Sequence, residues 1–348
     1  MKIPKANLAI SIVTIVLLVV AAEFTLRFLC TYCTWSELNK GEFVSPFTVQ
    51  NNQWLFTRQP NITRQYATAD FNYELKTNSL GIRDIEHAID KKPDEVRVIG
   101  LGDSFTEGQG APFEQTYLKV LEKKLNIVLK SKKATVIVGG VSGSDPLYNY
   151  KLLELKLLDY QPDIVTVTVN SSDMNDVLTR GGEERFLPDG KVEYSAPPEN
   201  EWIFAWSHLY RMLSMRLFGY DWVGFSPSEH KERTARAISQ INACLLNFKT
   251  LAEQEQFVFV VLFHPMRREL VLGRYSFDVK SIIRHLQDNN ILYIDLMDHL
   301  RANIGASKEA ADEYYWPRDW HHNAKGYELM AEGILLGLKR LNLIAAME

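Results

Sequence analysis

From about residue 93 the chain alternates between two kinds of segment, and this alternation limits its fold more than any other feature. VRVIGL (96–101), ATVIVGG (134–140), DIVTVTV (163–169), FVFVVLF (257–263) and ILYID (291–295) are short apolar runs. Runs of this length with β-branched residues read as strands buried on both faces. Between and after them lie segments with apolar residues at helical spacing. These are FEQTYLKVLEKKLNIVL (113–129), PLYNYKLLELKLLDY (146–160), RTARAISQINACLLNFKTLAEQ (233–254), SFDVKSIIRHLQDN and AKGYELMAEGILLGLKRL (324–341). Strands joined through helices form a parallel sheet covered on both faces. Ligands of such α/β sheets bind beyond the carboxyl ends of the strands. Residues just after each apolar run are therefore the candidates for a site.

Residues 177–228 interrupt the alternation. This stretch carries GG, PDG and PP turns and then WIFAWSHLYRMLSMRLFGYDWVGF. It reads as an insertion within a domain spanning 93–343. Its aromatics, Trp202, Trp206 and Trp222 among them, either cover a pocket or form the insertion's own core. Residues 30–92 are of mixed polarity and read as an irregular or β-rich collar, with Asn78-Ser79-Leu80-Gly81 as a turn.

The N-terminus is of another kind. Two lysines precede LAISIVTIVLLVVAA (8–22), and the apolar pattern resumes after Glu23 as FTLRFL. Residues 6–29 together are long enough to span a bilayer, which takes about 20 apolar residues. Glu23 and Arg27 are spaced to pair on one helical face. An uncleaved anchor is the reading favoured by the pattern continuing past Ala22. A signal peptide cleaved after Val20-Ala21-Ala22 is the alternative. In both readings the basic flank stays in the cytoplasm and the remainder is exported. Cys30 and Cys33 form a C-x-x-C just beyond this segment, read as a disulfide or two free thiols, and Cys244 reads as core. A net charge of −4 gives no reason to expect a nucleic-acid partner. No ligand cluster suggests a metal or cofactor.

Ser104 follows the first strand within Gly102-Asp103-Ser104, where Gly102 permits a sharp turn into a helix. An ordinary N-cap is the alternative role for this serine. Near the other end, Asp319 and His321 share a short loop before the last helix. A serine hydroxyl becomes a useful nucleophile only beside a base, and the base needs an acceptor to fix its tautomer. His264 follows the fourth strand, and Trp316 and Trp320 flank the Asp319–His321 loop. These three are candidate substrate contacts, with a structural role for His264 and simple packing for the two tryptophans as the alternatives.

The stretches RVIGLGDSFTEGQG and DWHHNAKG together resemble the SGNH/GDSL hydrolase family over roughly residues 76–343. The second is similar to the D-x-H-x-N-x-x-G form of membrane-anchored members and alginate O-acetylation proteins. NSLGIRD and SHLYR also resemble such members. GGVSGSDP matches the glycine block, with Gly143 at the oxyanion glycine. The family's G-x-N-D block is altered to Val169-Asn170-Ser171-Ser172-Asp173. Its oxyanion asparagine aligns with Ser172, and Asn170 lies two residues earlier. The resemblance implies a three-layer α/β/α sandwich with a parallel, flavodoxin-like sheet of about five strands. It also implies a Ser104–His321–Asp319 triad with Gly143, Ser172 and Asn170 around the oxyanion. The activity implied is that of an exported, membrane-anchored esterase or O-acyltransferase. Its substrates would be acyl esters, acetyl foremost, of an envelope or extracellular polysaccharide, without a cofactor and with a membrane acyltransferase as a partner. The alternative, prompted by the altered asparagine block, is a catalytically weak or inactive accessory protein. Such a protein would bind carbohydrate or a membrane protein.

Overall fold

The computed structural model describes residues 5–29, 48–50 and 54–348. The chain forms two compact units, Met1–Phe43 with Tyr194–Arg236, and Val44–Glu193 with Ala237–Glu348. Cys30 and Cys33 lie outside the described residues.

The larger unit is built on β1 (Glu95–Gly102), β2 (Lys133–Gly140), β3 (Ile164–Val169), β4 (Val258–Phe263) and β5 (Leu292–Asp295). Every boundary falls within one residue of the expected limits. The strands are all parallel, in the order β2-β1-β3-β4-β5. This is the flavodoxin-like arrangement, whose strand order reverses between β1 and β3 and leaves a crevice at their carboxyl ends. The central strand β3 is buried along its whole length, Thr166 and Thr168 included.

The helices include, in chain order, α1 (Lys5–Leu29), α2 (Ser104–Glu107), α3 (Tyr117–Val128), α4 (Pro146–Leu152), α5 (Ser171–Arg180), α6 (Glu201–Trp206), α7 (His208–Phe218), α8 (Pro227–Glu255), α9 (Val279–Asp288) and α10 (Ala324–Arg340). α3 buries Leu118, Leu121 and Leu125, and α10 buries Tyr327, Met330, Ile334 and Leu338. The spacing of each set puts one apolar stripe toward the core, and each such side chain contributes about 1.5–3 kcal/mol when removed from water. On α8, Ile241, Leu245 and Phe248 do the same. Phe248 meets Tyr150 of α4 edge-on at 5.2 Å. The Cys244 thiol, buried as expected, donates to the Pro146 carbonyl oxygen at 3.3 Å, and burial pushes its pKa well up.

The segment expected as one helix over 146–160 is helical throughout, but widens into a π turn at Leu153–Leu157 and tightens into a 3-10 turn at Leu158–Tyr160. Gln161, with φ +51, ends it. The start expected at 177 for the insertion falls inside α5, because the helix runs on to a C-cap at Gly181. Part of the collar is a hairpin, Thr63–Ala67 with Asn72–Lys76. Its alternating residues Tyr73 and Leu75 are buried with Phe71.

α2 lies so close to the sheet that β2 must end without side chains beneath it. A Cβ on Gly140 would stand 2.1 Å from the Glu107 backbone nitrogen and 2.3 Å from the Thr106 carbonyl carbon. Backbone cannot swing aside as a side chain can. Gly140→Ala is expected to lower stability by about 3 kcal/mol or more, read as a fall in the urea midpoint.

Candidate active site

The turn after β1 begins at Gly102, where a Cβ would stand 2.2 Å from Thr106 Oγ1. Asp103 is the N-cap of α2, and its Oδ1 accepts from the Phe105 N–H at 2.9 Å. Ser104 is thus the first residue of the helix and does not cap it, which removes the ordinary role the sequence allowed. Its hydroxyl is left to face the loop before α10. There Ser104 Oγ stands 2.6 Å from His321 Nε2, and His321 Nδ1 stands 2.6 Å from Asp319 Oδ1. Serine, imidazole and carboxylate form one chain of hydrogen bonds, partly exposed at the carboxyl end of β1.

The loop is shaped to bring Asp319 and His321 together. Trp320 between them has φ +69, a left-handed conformation that is unfavourable for a bulky residue. It is held by Trp320 N–H donating to the Trp316 carbonyl at 2.9 Å and Trp316 N–H donating to the His321 carbonyl at 2.8 Å. Asp70 accepts from the Arg318 and Asp319 N–H groups, both at 2.8 Å. Gln109 Nε2 donates to Asp319 Oδ2 at 3.0 Å. Asn323 caps α10 by accepting from the Lys325 and Gly326 N–H groups. Burial pushes the Asp319 carboxyl up, but the hydrogen bond and charge of His321 and the Gln109 contact outweigh it and hold its pKa below the usual carboxylate range.

The other expected residues are distributed around this chain. Gly143 sits in the turn after β2 with φ +77, and its carbonyl accepts from the Arg180 guanidinium. Among the described residues, neither the Ser104 nor the Gly143 backbone N–H has a hydrogen-bond acceptor. Asn170 and Ser172 follow β3 and turn toward Asp103. Asn170 Nδ2 and Ser172 Oγ reach Asp103 Oδ2 at 3.0 and 3.1 Å. Ser172 Oγ also lies 2.6 Å from Asn170 Oδ1. Asn170 is the N-cap of α5, completed by Asp173, whose Oδ2 accepts from the Asn170 N–H. Trp316 donates to the Gly110 carbonyl at 2.7 Å and packs on Phe71. Trp320 is exposed beside His321. His264, expected to touch substrate, is instead fully buried behind Phe105, whose ring lies 4.5 Å from both His264 and His321. Among the described residues, no cluster of three His, Cys, Asp or Glu side chains is placed to hold a metal.

The GDSL-like Lipase/Acylhydrolase family model matches residues 101–329, well over half of the chain. The chain belongs to this family. Its members are serine hydrolases acting on ester bonds. Solved structures similar to this hydrolase include a two-domain esterase active on acetylated mannans, at 13% identity and a TM-score of 0.43. That match covers 71% of this chain and 49% of the esterase, so the hydrolase spans about half of its length. An acetylxylan esterase from Geobacillus stearothermophilus matches at 12% identity and a TM-score of 0.43, covering 70% of this chain and 94% of its own. A lipase/acylhydrolase from Enterococcus faecalis matches at 14% identity and a TM-score of 0.42, covering 70% and 95%. No curated protein matches the chain.

Several supports of the hydrolase's site carried no role in the sequence reading. Arg83, in NSLGIRD, is buried and donates to the carbonyls of Glu107, Gly108 and Ala111 at 3.2, 2.6 and 2.7 Å. Glu107 in turn makes a buried ion pair with Arg58. These contacts hold the loop carrying Gln109. The turn at Asn78 and Gly81, φ +74, delivers Arg83. The resemblance of NSLGIRD to anchored members was the only signal for it. Nothing in sequence singled out Gln109 or Asp70.

Behind Phe105, His264 Nε2 and His322 Nε2 are 2.8 Å apart in a fully buried pair. His322 Nδ1 lies 3.3 Å from the Tyr314 carbonyl oxygen. A carbonyl only accepts, so Nδ1 carries the proton, His322 Nε2 accepts, and His264 Nε2 donates to it. Burial first, and the nearby His321, hold His322 down to about 3 against a raising contribution from Tyr314. Burial, then His322 and His321, hold His264 well below its usual value. Both rings are neutral in the fold but titrate near about 6.5 when unfolded. Below that value the unfolded chain binds more protons, so stability is complete above it and falls on acidification. The loss approaches about 1.4 kcal/mol per pH unit for each ring. The urea midpoint is therefore expected to drop between about pH 7 and about pH 5, with a shallower drop in His264→Gln.

Proposed function

We propose that this hydrolase is an exported, membrane-anchored serine esterase or O-acyltransferase acting on acetyl esters of a cell-envelope or extracellular polysaccharide. The observation that carries the mechanism is the 2.6 Å approach of Ser104 Oγ to His321 Nε2, with Asp319 at 2.6 Å on the far ring nitrogen. A neutral imidazole with Nδ1–H donated to Asp319 leaves Nε2 free to take the Ser104 proton. Ser104 Oγ then attacks the ester carbonyl, and the tetrahedral oxyanion forms beside the backbone N–H groups of Ser104 and Gly143. Preorganised donors of this kind contribute about 3–4 kcal/mol each to lowering the barrier. Ser172 supplies a third donor by rotating its hydroxyl away from Asp103 and Asn170. His321 passes the proton to the leaving sugar oxygen, which releases the alcohol and leaves acetyl-Ser104. Water activated by His321 completes hydrolysis, and a sugar hydroxyl in its place completes transfer.

Support for the anchor comes from α1, whose Ala9–Leu29 segment has a mean hydropathy of 2.5 and is wholly unburied. Lysines before it favour a cytoplasmic N-terminus and an exported domain. Support for a sugar substrate comes from the exposed Trp320 indole beside His321, a surface on which a sugar ring can stack.

Labelling of the full chain with a fluorophosphonate probe is expected for the wild type and absent in Ser104→Ala. Equal labelling of the two would remove Ser104 as the nucleophile. Asp319→Asn keeps the shape but presents the wrong tautomer partner. It is expected to lower kcat on acetylated oligosaccharides by about 10³–10⁴.

A further inference from the structure

We infer that the α6–α7 insertion lies in the interfacial layer of the same phospholipid bilayer that α1 enters, and that its exposed aromatic and leucine side chains contact lipid. The inference rests on the anchor reading of α1 and deepens it.

The first observation is how α1 and the insertion are joined. The uncharged run from Leu8 to Ala22 is 15 residues, about 22 Å of helix against a hydrocarbon core of about 30 Å. The bilayer boundary therefore falls at or beyond Glu23, the first charge after that run. An unpaired carboxylate at that depth is costly. Here Glu23 accepts from Ser207 Oγ at 2.8 Å and from the His208 and Leu209 N–H groups, both at 2.9 Å. It caps the N-terminus of α7 from another part of the chain. Arg27 Nε donates to Glu23 Oε1 at 2.8 Å, and the same guanidinium reaches the Trp206 carbonyl. The junction of α6 and α7 is thereby pinned to the level of the anchor where the apolar run ends.

The second observation is what the insertion leaves uncovered. It has an interior of its own, with Phe204, Arg211 and Ser214 buried and Arg211 Nε donating to the Phe204 carbonyl at 3.0 Å. Trp202 and Trp206 are four apart on α6 and are 69% and 68% exposed. Leu213 and Leu217 are four apart on α7, and Leu217 and the adjacent Phe218 are 68% and 66% exposed. Spacing of four sets each pair on one face of its helix. Tryptophan is enriched where bilayer meets water, and amphipathic helices lie there with their apolar face in the lipid. The occupant is lipid because α7 packs against α1 and Arg27 of α1 holds the Trp206 carbonyl at the end of α6, so these side chains stand beside a helix whose own surface is apolar and exposed.

The test uses the full chain reconstituted into vesicles of phosphatidylcholine brominated high in the acyl chain. Flotation first reports whether the chain associates with the vesicles. Tryptophan emission of the wild type is then expected to be quenched relative to unbrominated vesicles, and the quenchable part is expected to be lost in W202F/W206F/W222F. A chain that floats, with the same quenching in wild type and variant, overturns the inference and leaves the anchor standing. That result would mean that these side chains face water or another protein. A chain that does not float overturns the anchor reading and the inference with it. A second measurement needs no variant: a diazirine phospholipid is crosslinked to the wild-type chain and the labelled peptides are mapped. Label within residues 201–222 supports the inference, and label confined to α1 overturns it.

Discussion

The candidate site depends on one buried carboxylate. Asp103 directly follows strand β1. Its Oδ1 holds the Phe105 N–H, and its Oδ2 receives the Asn170 amide and the Ser172 hydroxyl. A single side chain therefore starts the helix that presents Ser104 and ties that helix to the end of β3. This is the crevice where the strand order reverses, and hydrogen-bond donors from both strand ends meet there. The Asn170–Ser172 pair is drawn into the same network, so the altered asparagine block has a structural use. It holds Asp103 in place.

Around that junction the molecule spends much of its buried polar chemistry on shaping loops. Arg83 binds three carbonyls behind α2, Asp70 binds two N–H groups of the Asp319 loop, and Gln109 links the two loops through Asp319. Each contact crosses from the collar or from the β1 turn to a distant part of the chain. The collar thus takes part in holding the site. The histidine pair behind Phe105 extends this support inward. His264 and His322 are hydrogen-bonded to each other as neutral rings, and Phe105 lies between His264 and His321.

The fold was legible because its signal is local and repeated. Five apolar runs separated by helical patterns left little choice but a parallel sheet, and each strand ended where its run ended. Ser104, Asp319 and His321 drew notice in sequence because each stands directly after a strand or before a helix; their joint reading as a triad came from the resemblance to the SGNH/GDSL family. The supporting residues did not draw notice. Gln109 and Asp70 are a polar and an acidic residue in polar loops, with nothing in their neighbours to distinguish them. The role of His264 stayed open in sequence because a histidine after a strand looks the same whether its ring faces the crevice or turns inward under a phenylalanine.

By itself the sequence determined which segments are strands and helices, where the long apolar N-terminal segment lies, and which family's motifs Ser104, Asp319 and His321 fall in. Periodicity and spacing are properties of neighbouring residues, so they survive without knowledge of the fold. Only the tertiary structure decided that Ser104 and His321, 217 positions apart, stand in hydrogen-bond contact. It alone turned Ser172 toward Asp103, buried His264, and placed Glu23 on the N-terminus of α7. Those outcomes follow from strand order and from the direction each side chain leaves its element. Both are set by packing between distant segments, which no stretch of sequence carries on its own.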